Sequence, residues 1–376
     1  MYIMLSCSIQ IGKLNVRPPF FLSPLAGYTN LPFRRVIREI GGVGLCTTDL
    51  VNARSLIENN PKALKLIETH PQDSPLAVQI FGGNPDEMRR AAHLLQERGV
   101  ASVDINMGCP VPKVCNVGAG SALLRDLTAA AALVATVAKD LAIPLTCKIR
   151  LGWDEKNLTA PTLAKLLRDA GAAAIFVHGR TREQGFSGSV NLDGIRAVVE
   201  AVPEIAVIGN GDVVDVTSAK KMAEQTGCAG ISIGRGAFYN PWIFRQLEAA
   251  FFHNDPAPPE PDFEERVRIM RRHLELMVET FGERDGCIRF RKMGPWYVKK
   301  IGPASAFNKR ITQLESRQQF EEIVAFYRQW RRHFLEDDGV TLKPRYRNSH
   351  ADEILTGPRS AAREKIPVPA GPVEWW

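Results

Sequence analysis

The chain contains 376 residues, of which 45% are hydrophobic and 24% are charged. This composition is ordinary for a folded globular protein, and the length exceeds that of a typical single domain. No apolar run is long enough to cross a bilayer, and the apolar opening lacks the basic segment of a signal peptide. The seven cysteines include no C-x-x-C pair, which argues against a disulfide framework and against a metal site. We therefore expect a cytoplasmic protein with no membrane partner and no metal.

The net charge of +7 is unevenly distributed along the chain. Residues 264–336 hold 16 Lys and Arg but only 10 Asp and Glu, so almost the whole surplus lies in this segment. A concentrated basic surplus is typical of a face that binds a polyanion. A solvated helical surface that happens to be basic explains the charge equally well.

Eight short apolar runs recur along the first two thirds of the chain, and helix-forming segments lie between most of them. Runs that are apolar throughout are typical of parallel strands that are buried on both faces. The pattern predicts an α/β fold, a (β/α)₈ TIM barrel, followed by a small C-terminal α-helical domain. A doubly wound sheet is the alternative, but no complete G-x-G-x-x-G follows a strand. The eight runs lie at residues 20–27, 43–51, 75–83, 102–108, 144–152, 173–180, 204–212 and 229–237.

The chain is predicted to divide into four segments. Residues 1–253 form the barrel that carries the site, and residues 254–263, which contain four prolines, form a linker. Residues 264–336 have apolar side chains at helical spacing and form the basic helical domain. Residues 337–376 alternate charges with scattered prolines and are predicted to be an extended tail.

The active site of a barrel lies at the carboxyl ends of its strands, so the polar and small residues that end the apolar runs are the candidates. Because they all belong to the same end of one barrel, they predict a site for a large polar ligand. They are Pro24, Leu25, Ala26, Gln79, Asn106, Lys148, Arg150, His178, Arg180, Asn210, Gly211, Asp212, Gly234 and Arg235.

Two glycine-containing turns at the ends of the last two strands favour a phosphate ligand. The segments "GNGD" and "GRG" expose backbone N–H groups, and Arg235 adds a permanent charge. Lys148 suits an electron-rich flavin ring, because a cation stabilises the negative charge of the reduced state. Gln79 can donate to and accept from a flavin edge, and His178 suits either phosphate or substrate. These residues predict a phosphorylated flavin.

Cys109 is the candidate catalytic residue. It lies between Gly108, which permits a turn, and Pro110, which restricts the conformation of the residue before it. A thiol held in this way beside a reduced flavin can donate a proton to one carbon while the flavin delivers a hydride to its neighbour. The cysteines at 46, 147 and 228 are interpreted as small buried hydrophobic residues.

Several motifs in a fixed order resemble those of the tRNA-dihydrouridine synthases. They are "SPLAGYTNLPFR", "INMGCPVPKV" with "GAGSALLRD", "CKIRLGW", "VHGRTREQGFSG", "GNGDV" and "IGRGA". The cysteine motif with its "GSALL" extension is most similar to the bacterial B-type branch. The resemblance covers residues 20 to about 330 and departs from the family in the motif "MGPWYVKKIGPASAFNKRI" and after residue 337.

The resemblance implies reduction of the uracil C5=C6 bond in tRNA, with NADPH (or NADH) as the reductant. Cys109 would protonate C5 after a hydride from FMN reaches C6. The residues that would hold FMN are Pro24, Leu25, Ala26, Gln79, Lys148, His178, Asn210, Gly211, Asp212, Gly234 and Arg235. The residues predicted to contact tRNA are Asn106, Arg150, Arg180, Arg182, Arg271, Arg272, Lys299 and Lys300.

Two other functions are consistent with the sequence. One is an FMN-barrel oxidoreductase that acts on a free pyrimidine or an enone, although the separate basic domain argues against it. The other is a tRNA-binding protein without catalysis, which the presence of both Cys109 and Lys148 argues against. The oligomeric state is left open, with a monomer slightly favoured.

Overall fold

The computed structural model describes residues 5–253, 255, 259–299 and 301–347. These residues belong to two compact units. The first unit contains residues 5–237, 243–253 and 255, and the second contains residues 238–242 together with the described residues from 259 onward. Among the described residues, no helix combines the length and the apolar character that a membrane span requires.

Eight parallel strands of the first unit close into a barrel. β3 pairs with β4, β4 with β6, each strand from β6 onward with the next, and β11 with β3 again. The predicted TIM barrel is therefore confirmed, and each predicted apolar run supplies one barrel strand. The strands are β1 (Ile9–Ile11), β2 (Leu14–Val16), β3 (Phe20–Leu22), β4 (Leu45–Thr47), β5 (Val51–Asn52), β6 (Leu76–Phe81), β7 (Ser102–Met107), β8 (Leu145–Arg150), β9 (Ala174–His178), β10 (Ala206–Asn210) and β11 (Gly230–Ile233).

Helices lie between the strands and pack against them through apolar faces. In α4 the residues Met88, Ala91, Ala92 and Leu95 recur at helical spacing and are all buried. The helix begins directly after Asn84, whose side chain caps its first backbone N–H groups. The helices of the first unit are α1 (Leu31–Ile40), α2 (Ala53–Ile57), α3 (Pro61–Leu66), α4 (Pro85–Glu97), α5 (Pro112–Cys115), α6 (Leu127–Ala138), α7 (Ala160–Asp169), α8 (Leu192–Ala201), α9 (Val216–Thr226), α10 (Arg235–Tyr239, which continues into the second unit) and α11 (Ile243–Phe252), with a 3-10 helix at Gly120–Arg125.

The amino-terminal end of the barrel is closed by a hairpin that the sequence analysis did not predict. Strands β1 and β2 pair antiparallel, and their apolar residues pack against the side chains that fill the amino-terminal end of the barrel interior. Phe21 and Phe176 meet there edge to face, with ring centroids 5.2 Å apart. The opposite end of the interior is lined by polar side chains. This gradient confines ligand chemistry to the carboxyl ends of the strands.

The second unit is helical, as the predicted fold class requires. Its core contains large aromatic side chains, among them Phe290, Phe307, Phe320 and Tyr327. Its helices are α12 (Phe263–Phe281), α13 (Glu283–Phe290), α14 (Gly294–Tyr297), α15 (Ser305–Ile311), α16 (Arg317–Arg331) and α17 (Pro344–Arg347), with a 3-10 helix at Arg332–Phe334.

Two predicted segments extend beyond the described residues. In the predicted linker 254–263, residues 254 and 256–258 lie outside them, and α12 already begins at Phe263. In the predicted tail, residues 348–376 lie outside them. Residues 337–347 differ from an extended chain, because Leu342 bridges to Leu335 and α17 follows.

Candidate functional site

Strand register brings the predicted polar residues together at the carboxyl end of the barrel. Asn106 of β7 is aligned with Lys148 of β8. Arg150 of β8 is aligned with His178 of β9, which is aligned in turn with Asn210 of β10. Residues in register on neighbouring parallel strands face the same side of the sheet. Five candidates from four strands therefore form one continuous polar surface.

Lys148 is held at this surface by Asn210. The Lys148 ammonium donates to Asn210 Oδ1 at 3.0 Å, and Asn210 Nδ2 donates to Ser23 Oγ at 3.2 Å and to the Ser232 carbonyl at 2.8 Å. Burial and the neighbouring positive charge of Arg150 lower the pKa of Lys148 to about 8. The lysine therefore presents a positioned positive charge at neutral pH.

A chain of buried hydrogen bonds runs from Asp104 toward the cysteine turn. Asp104 accepts from Gln79 Nε2 and from Thr146 Oγ1, both at 2.6 Å, and burial raises its pKa to about 6. Because the carboxylate takes the amide donor of Gln79, the Gln79 oxygen is left to accept from Asn106 Nδ2 at 2.7 Å. The predicted flavin-edge residue Gln79 is thus oriented by a carboxylate that the sequence analysis did not identify.

Asn106 completes this chain by holding the turn that carries Cys109. Its Oδ1 accepts from the backbone N–H of Cys109 at 3.0 Å, while the Cys109 carbonyl accepts from the Ser121 N–H at 3.0 Å. Burial raises the pKa of the Cys109 thiol, and a hydrogen bond from the backbone of Val111 acts in the opposite direction. The thiol is therefore protonated at neutral pH and positioned on a turn that is fixed from both sides. Around it lie apolar side chains of Ala26, Leu50, Phe81, Val111, Val114 and Ala119.

Arg150 joins the cysteine turn to the loop that follows β9. Its Nε donates to the Gly108 carbonyl at 2.7 Å, and its Nη1 donates to the carbonyls of Thr181 and Gly185 at 2.7 and 2.8 Å. The side chain is 3% exposed, and burial lowers its pKa to about 10. This geometry favours a role in holding the turn before Cys109 over a direct contact with RNA.

Asp212, predicted to contact the cofactor, has three partners within the barrel, and its contact with a cofactor stays a prediction. Its carboxylate accepts from both terminal nitrogens of Arg180 at 2.8 and 2.7 Å, from the Val190 N–H at 3.0 Å and from Arg235 Nη2 at 3.4 Å. A carboxylate with these partners would repel a phosphate but orients two guanidinium groups. The geometry therefore favours a positioning role for Asp212 and leaves Arg235 as the cation beside the glycine turns.

Arg180, predicted to contact tRNA, is buried just beyond the end of β9 and has partners within the barrel. The side chain is 1% exposed, and its nitrogens donate to the Ser187 and Gly188 carbonyls at 3.0 and 2.6 Å as well as to Asp212. Donors that are buried with these partners would have to exchange them in order to bind an RNA, so a contact of Arg180 with tRNA stays a prediction. Arg180 therefore anchors the loop after β9 to the end of β10.

The two glycine turns fit a closely bound phosphate for different reasons. Gly211 has a φ of 128°, and a Cβ there would lie 2.8 Å from Val190 Cγ2, so only glycine fits the turn. At Gly234 a Cβ would meet only Leu25 and Ser23, at ordinary distances of 3.5 and 3.6 Å. The protein itself therefore does not require glycine at 234, and the missing side chain leaves space for a ligand.

The turn after β3, with the predicted residues Pro24, Leu25 and Ala26, is anchored by Asp49. The Asp49 carboxylate accepts from the Gly27 N–H at 2.9 Å, and the buried Thr29 donates to it through both its N–H and its hydroxyl. Asp49 was not predicted as a site residue, although it lies in the second predicted apolar run, two residues after the end of β4.

Positive charge exceeds negative charge at this end of the barrel. The pKa of His178 is lowered well below its usual value, first by burial and then by the charges of Arg150, Lys148, Arg180 and Arg235. His178 is therefore neutral at neutral pH, while the guanidinium groups stay charged. Clustered buried cations are costly without an anionic partner. With the space at Gly234, the cluster fits a ligand that carries a phosphate.

Phe186 lies among these cations and was also missed. Its ring lies 4.8 Å from the Arg235 guanidinium carbon, 5.5 Å from that of Arg150 and 6.1 Å from the His178 ring. An aromatic face offsets part of the repulsion between such groups.

No group of three or more potential metal ligands occurs among the described residues.

Arg182 and Trp153 lie at the rim of the same end. The Arg182 N–H donates to the Gly152 carbonyl at 2.9 Å, and its guanidinium carbon lies 4.6 Å from the centroid of the Trp153 ring. Trp153 was not predicted as a site residue, although its position just beyond the end of β8 was a usable signal.

The basic residues predicted to bind tRNA from the helical unit have partners within that unit. Arg271 forms a two-pronged ion pair with Glu321 at 2.6 and 2.8 Å, and Arg272 reaches Glu275 at 3.5 Å. Lys299 lies over the rings of Trp296 and Tyr239 at 3.7 and 4.5 Å. Burial lowers its pKa to about 8. Their contact with tRNA stays a prediction, and Lys300 lies outside the described residues.

Known proteins similar to this chain include both sequence relatives and a solved structure. "Probable tRNA-dihydrouridine synthase 1" of Synechocystis sp. is 35% identical over 84% of this chain and 88% of that protein. "tRNA-dihydrouridine synthase B" of Pseudomonas putida is 36% identical over 88% of this chain and 98% of its own length. Histamine dehydrogenase from Rhizobium sp. 4-9 superposes with a TM-score of 0.50 at 10% identity, covering 73% of this chain and 51% of that one. This last similarity concerns the fold alone.

The family model described as dihydrouridine synthase matches residues 21–331, which include all of β3 except its first residue, the other seven barrel strands and most of the helical unit. The motifs that the match includes are those that place the cysteine turn, the Lys148 site and the glycine turns at one end of the barrel. Because the family model and the two sequence relatives each match most of the chain, the chain belongs to the dihydrouridine synthase family.

Proposed function

We propose that this protein is a flavin-dependent tRNA-dihydrouridine synthase, which reduces the C5=C6 bond of uridine to 5,6-dihydrouridine. FMN is the proposed cofactor, and NADPH or NADH the proposed reductant. Family membership and the names of the relatives support the reaction and the tRNA substrate. The cations and the glycine turns support a phosphate-bearing flavin.

The observation that carries the proposal is the state of Cys109. A cysteine that acts as a nucleophile needs a lowered pKa, whereas a proton donor must keep its proton until the reaction needs it. Burial raises the pKa of this thiol, and Asn106 holds its turn. Cys109 is therefore suited to donate a proton to C5 of the uracil.

The other residues bind and orient. Lys148 and Arg235 supply positive charge toward the flavin and its phosphate, and the absence of a side chain at Gly234 lets that phosphate approach the backbone. Neutral His178 can donate or accept a hydrogen bond without adding repulsion. The bound flavin would supply the hydride that reaches C6.

The proposal is tested by incubating the purified protein with NADPH and tRNA that lacks dihydrouridine. We expect FMN to be released on denaturation and uridine in the tRNA to gain the mass of two hydrogens. Cys109→Ala should keep its flavin and the reduction of that flavin by NADPH, while turnover on tRNA falls about 10²–10⁴-fold. Cys115→Ala is the matched control, because it removes a neighbouring thiol that contacts the Cys109 carbonyl at 3.5 Å and the Ser121 hydroxyl at 3.4 Å but has no proposed part in the chemistry.

The outcomes separate the alternatives. If the protein reduces free uracil or an enone at a rate that does not depend on salt, and does not react with tRNA, it is an oxidoreductase of small molecules. A colourless protein that binds tRNA and cannot be reconstituted with FMN would indicate a binding protein without catalysis. Full activity of Cys109→Ala would remove this thiol from the mechanism.

A further inference from the structure

Two arginines lie over one tryptophan ring at the rim of the barrel. The guanidinium carbon of Arg125 is 3.8 Å from the centroid of the Trp153 ring, and that of Arg182 is 4.6 Å from it. We call these three residues the rim stack. At these distances the flat guanidinium groups are attracted to the aromatic face, which limits their rotation.

The rim stack is built by three loops that leave neighbouring strands. Arg125 ends the 3-10 helix that follows the cysteine turn, and Ser121 of this helix donates to the Cys109 carbonyl at 3.0 Å. Trp153 lies in the loop after β8, and its carbonyl accepts from the Glu183 N–H of the loop after β9 at 2.9 Å. The stack is therefore fixed to the same turns that position the candidate proton donor.

The two guanidinium groups of the rim stack differ from those of several other arginines of this unit in their ion pairing. Among the residues that the structure describes, neither Arg125 nor Arg182 forms an ion pair, and Arg182 Nε is buried without a hydrogen-bond partner. Two neighbouring carboxylates are used elsewhere. Asp126 accepts from the Ala129 N–H at the start of α6, and Asp154 accepts from the residues of its own turn. Two guanidinium groups that lie over one ring and form no ion pair among the described residues can bind an external anion without first giving up a carboxylate.

We propose that the rim stack binds backbone phosphates of the tRNA beside the reacting uridine. This inference rests on the proposed function. A guanidinium that is held flat offers its N–H edge to two phosphate oxygens at once, and Trp153 acts as a positioning residue. Arg125 is exposed, and an RNA whose uridine has entered the barrel brings its neighbouring phosphates to the rim.

The basic residues of the helical unit make this assignment more specific. Arg271 and Arg272 must each exchange a carboxylate for a phosphate in order to bind RNA, whereas Arg125 and Arg182 have no such competitor. The dinucleotide reductant also carries phosphates and also has to reach the flavin. The experiment must therefore distinguish these two sources of phosphate.

The test uses the holoenzyme with Arg125→Gln, Arg182→Gln, Trp153→Leu and Trp153→Phe. The matched control is Arg90→Gln, which removes an exposed charge from α4. The affinity for tRNA is measured across a salt series, together with the KM for tRNA and for NADPH. Each arginine variant should weaken tRNA binding and lower the log–log salt slope by about 0.7–0.9, while the KM for NADPH is unchanged. Trp153→Leu should weaken binding, and Trp153→Phe should restore most of it.

Three results would overturn the proposal. Slopes equal to those of the wild type and of Arg90→Gln would mean that the rim stack does not contact RNA. A raised KM for NADPH with unchanged tRNA binding would assign the stack to the reductant. Failure of the wild-type protein to bind or reduce tRNA would overturn the proposed function together with this inference, and it is distinguished from the first two by the wild-type measurement itself.

Discussion

Replacing Asp104 by alanine should slow turnover without touching any group that meets the substrate. Asp104 is a positioning residue in the structure. Its carboxylate takes the amide donor of Gln79 at 2.6 Å, so that the Gln79 oxygen faces Asn106 and the Asn106 oxygen faces the Cys109 N–H. In Asp104→Ala the Gln79 amide loses the acceptor that selects its orientation.

The size of the effect follows from the bonds that a turned amide would break. A reversed Gln79 places its NH₂ against the NH₂ of Asn106, which leaves a buried donor unsatisfied at a cost of about 1–3 kcal/mol. If this cost appears in the reacting complex, turnover falls by roughly 5- to 150-fold. Asp104→Asn should remain close to wild type, because its oxygen can accept from Gln79 and its NH₂ can donate to the Thr146 hydroxyl.

Stability gives a second, independent measurement. Burial raises the pKa of Asp104 to about 6 from the usual 3.8, so protonation favours the folded state. This stabilisation is fully present below about pH 4 and is lost as the pH rises through about 6. Asparagine has no charge to bury, so Asp104→Asn should not lose this stabilisation. The difference in the free energy of unfolding between Asp104→Asn and the wild type should therefore rise in favour of the variant by up to about 3 kcal/mol from pH 4 to pH 8.

The assays are kcat and KM on tRNA at pH 7.5, and denaturant unfolding at several pH values. A wild-type kcat for Asp104→Ala would refute the orienting chain. An equal loss in Asp104→Asn and Asp104→Ala would show that the charge matters and the orientation does not. A stability difference between Asp104→Asn and wild type that does not change with pH would contradict the raised pKa.

Three further predictions concern the cofactor and the RNA. Gly211→Ala should destabilise the protein by about 1–3 kcal/mol, because Gly211 has a φ of 128° and a Cβ there would lie 2.8 Å from Val190. Gly234→Ala should instead melt at the wild-type temperature but bind less flavin. Thermal melting measures the first effect, and flavin absorbance measures the second. The affinity of the apoprotein for FMN should fall as the pH rises through about 8, where Lys148 loses its proton, and it should not change there in Lys148→Met; fluorescence titration measures it. The double variant Arg271→Gln, Arg272→Gln should flatten the salt dependence of tRNA binding if this face docks RNA, at a cost below about 1 kcal/mol of stability, because both ion pairs are exposed. An unchanged slope in that double variant would remove this face from the tRNA contact.

The barrel and the location of its site could be predicted because both depend on local pattern and one topological rule. Each apolar run is buried on both faces, and its last residues lie at the same end as those of every other run. The hairpin β1–β2 was missed although its signal was present. Ile9, Ile11, Leu14 and Val16 alternate around a turn at Gly12, which has a φ of 55°.

The sequence by itself determined which strand-end side chains reach the end of the barrel, since strand position decides this, but it did not identify loop residues such as Phe186 and Trp153. Only the tertiary structure decided which of them remain available to a ligand. Asp212 and Arg180 meet across 32 positions of the chain and neutralise each other, and Arg125, Trp153 and Arg182 meet from three loops without a carboxylate. Hydrogen bonds and ion pairs depend on distances of about 3 Å, which strand register and loop packing set. The order of residues along the chain does not contain those distances.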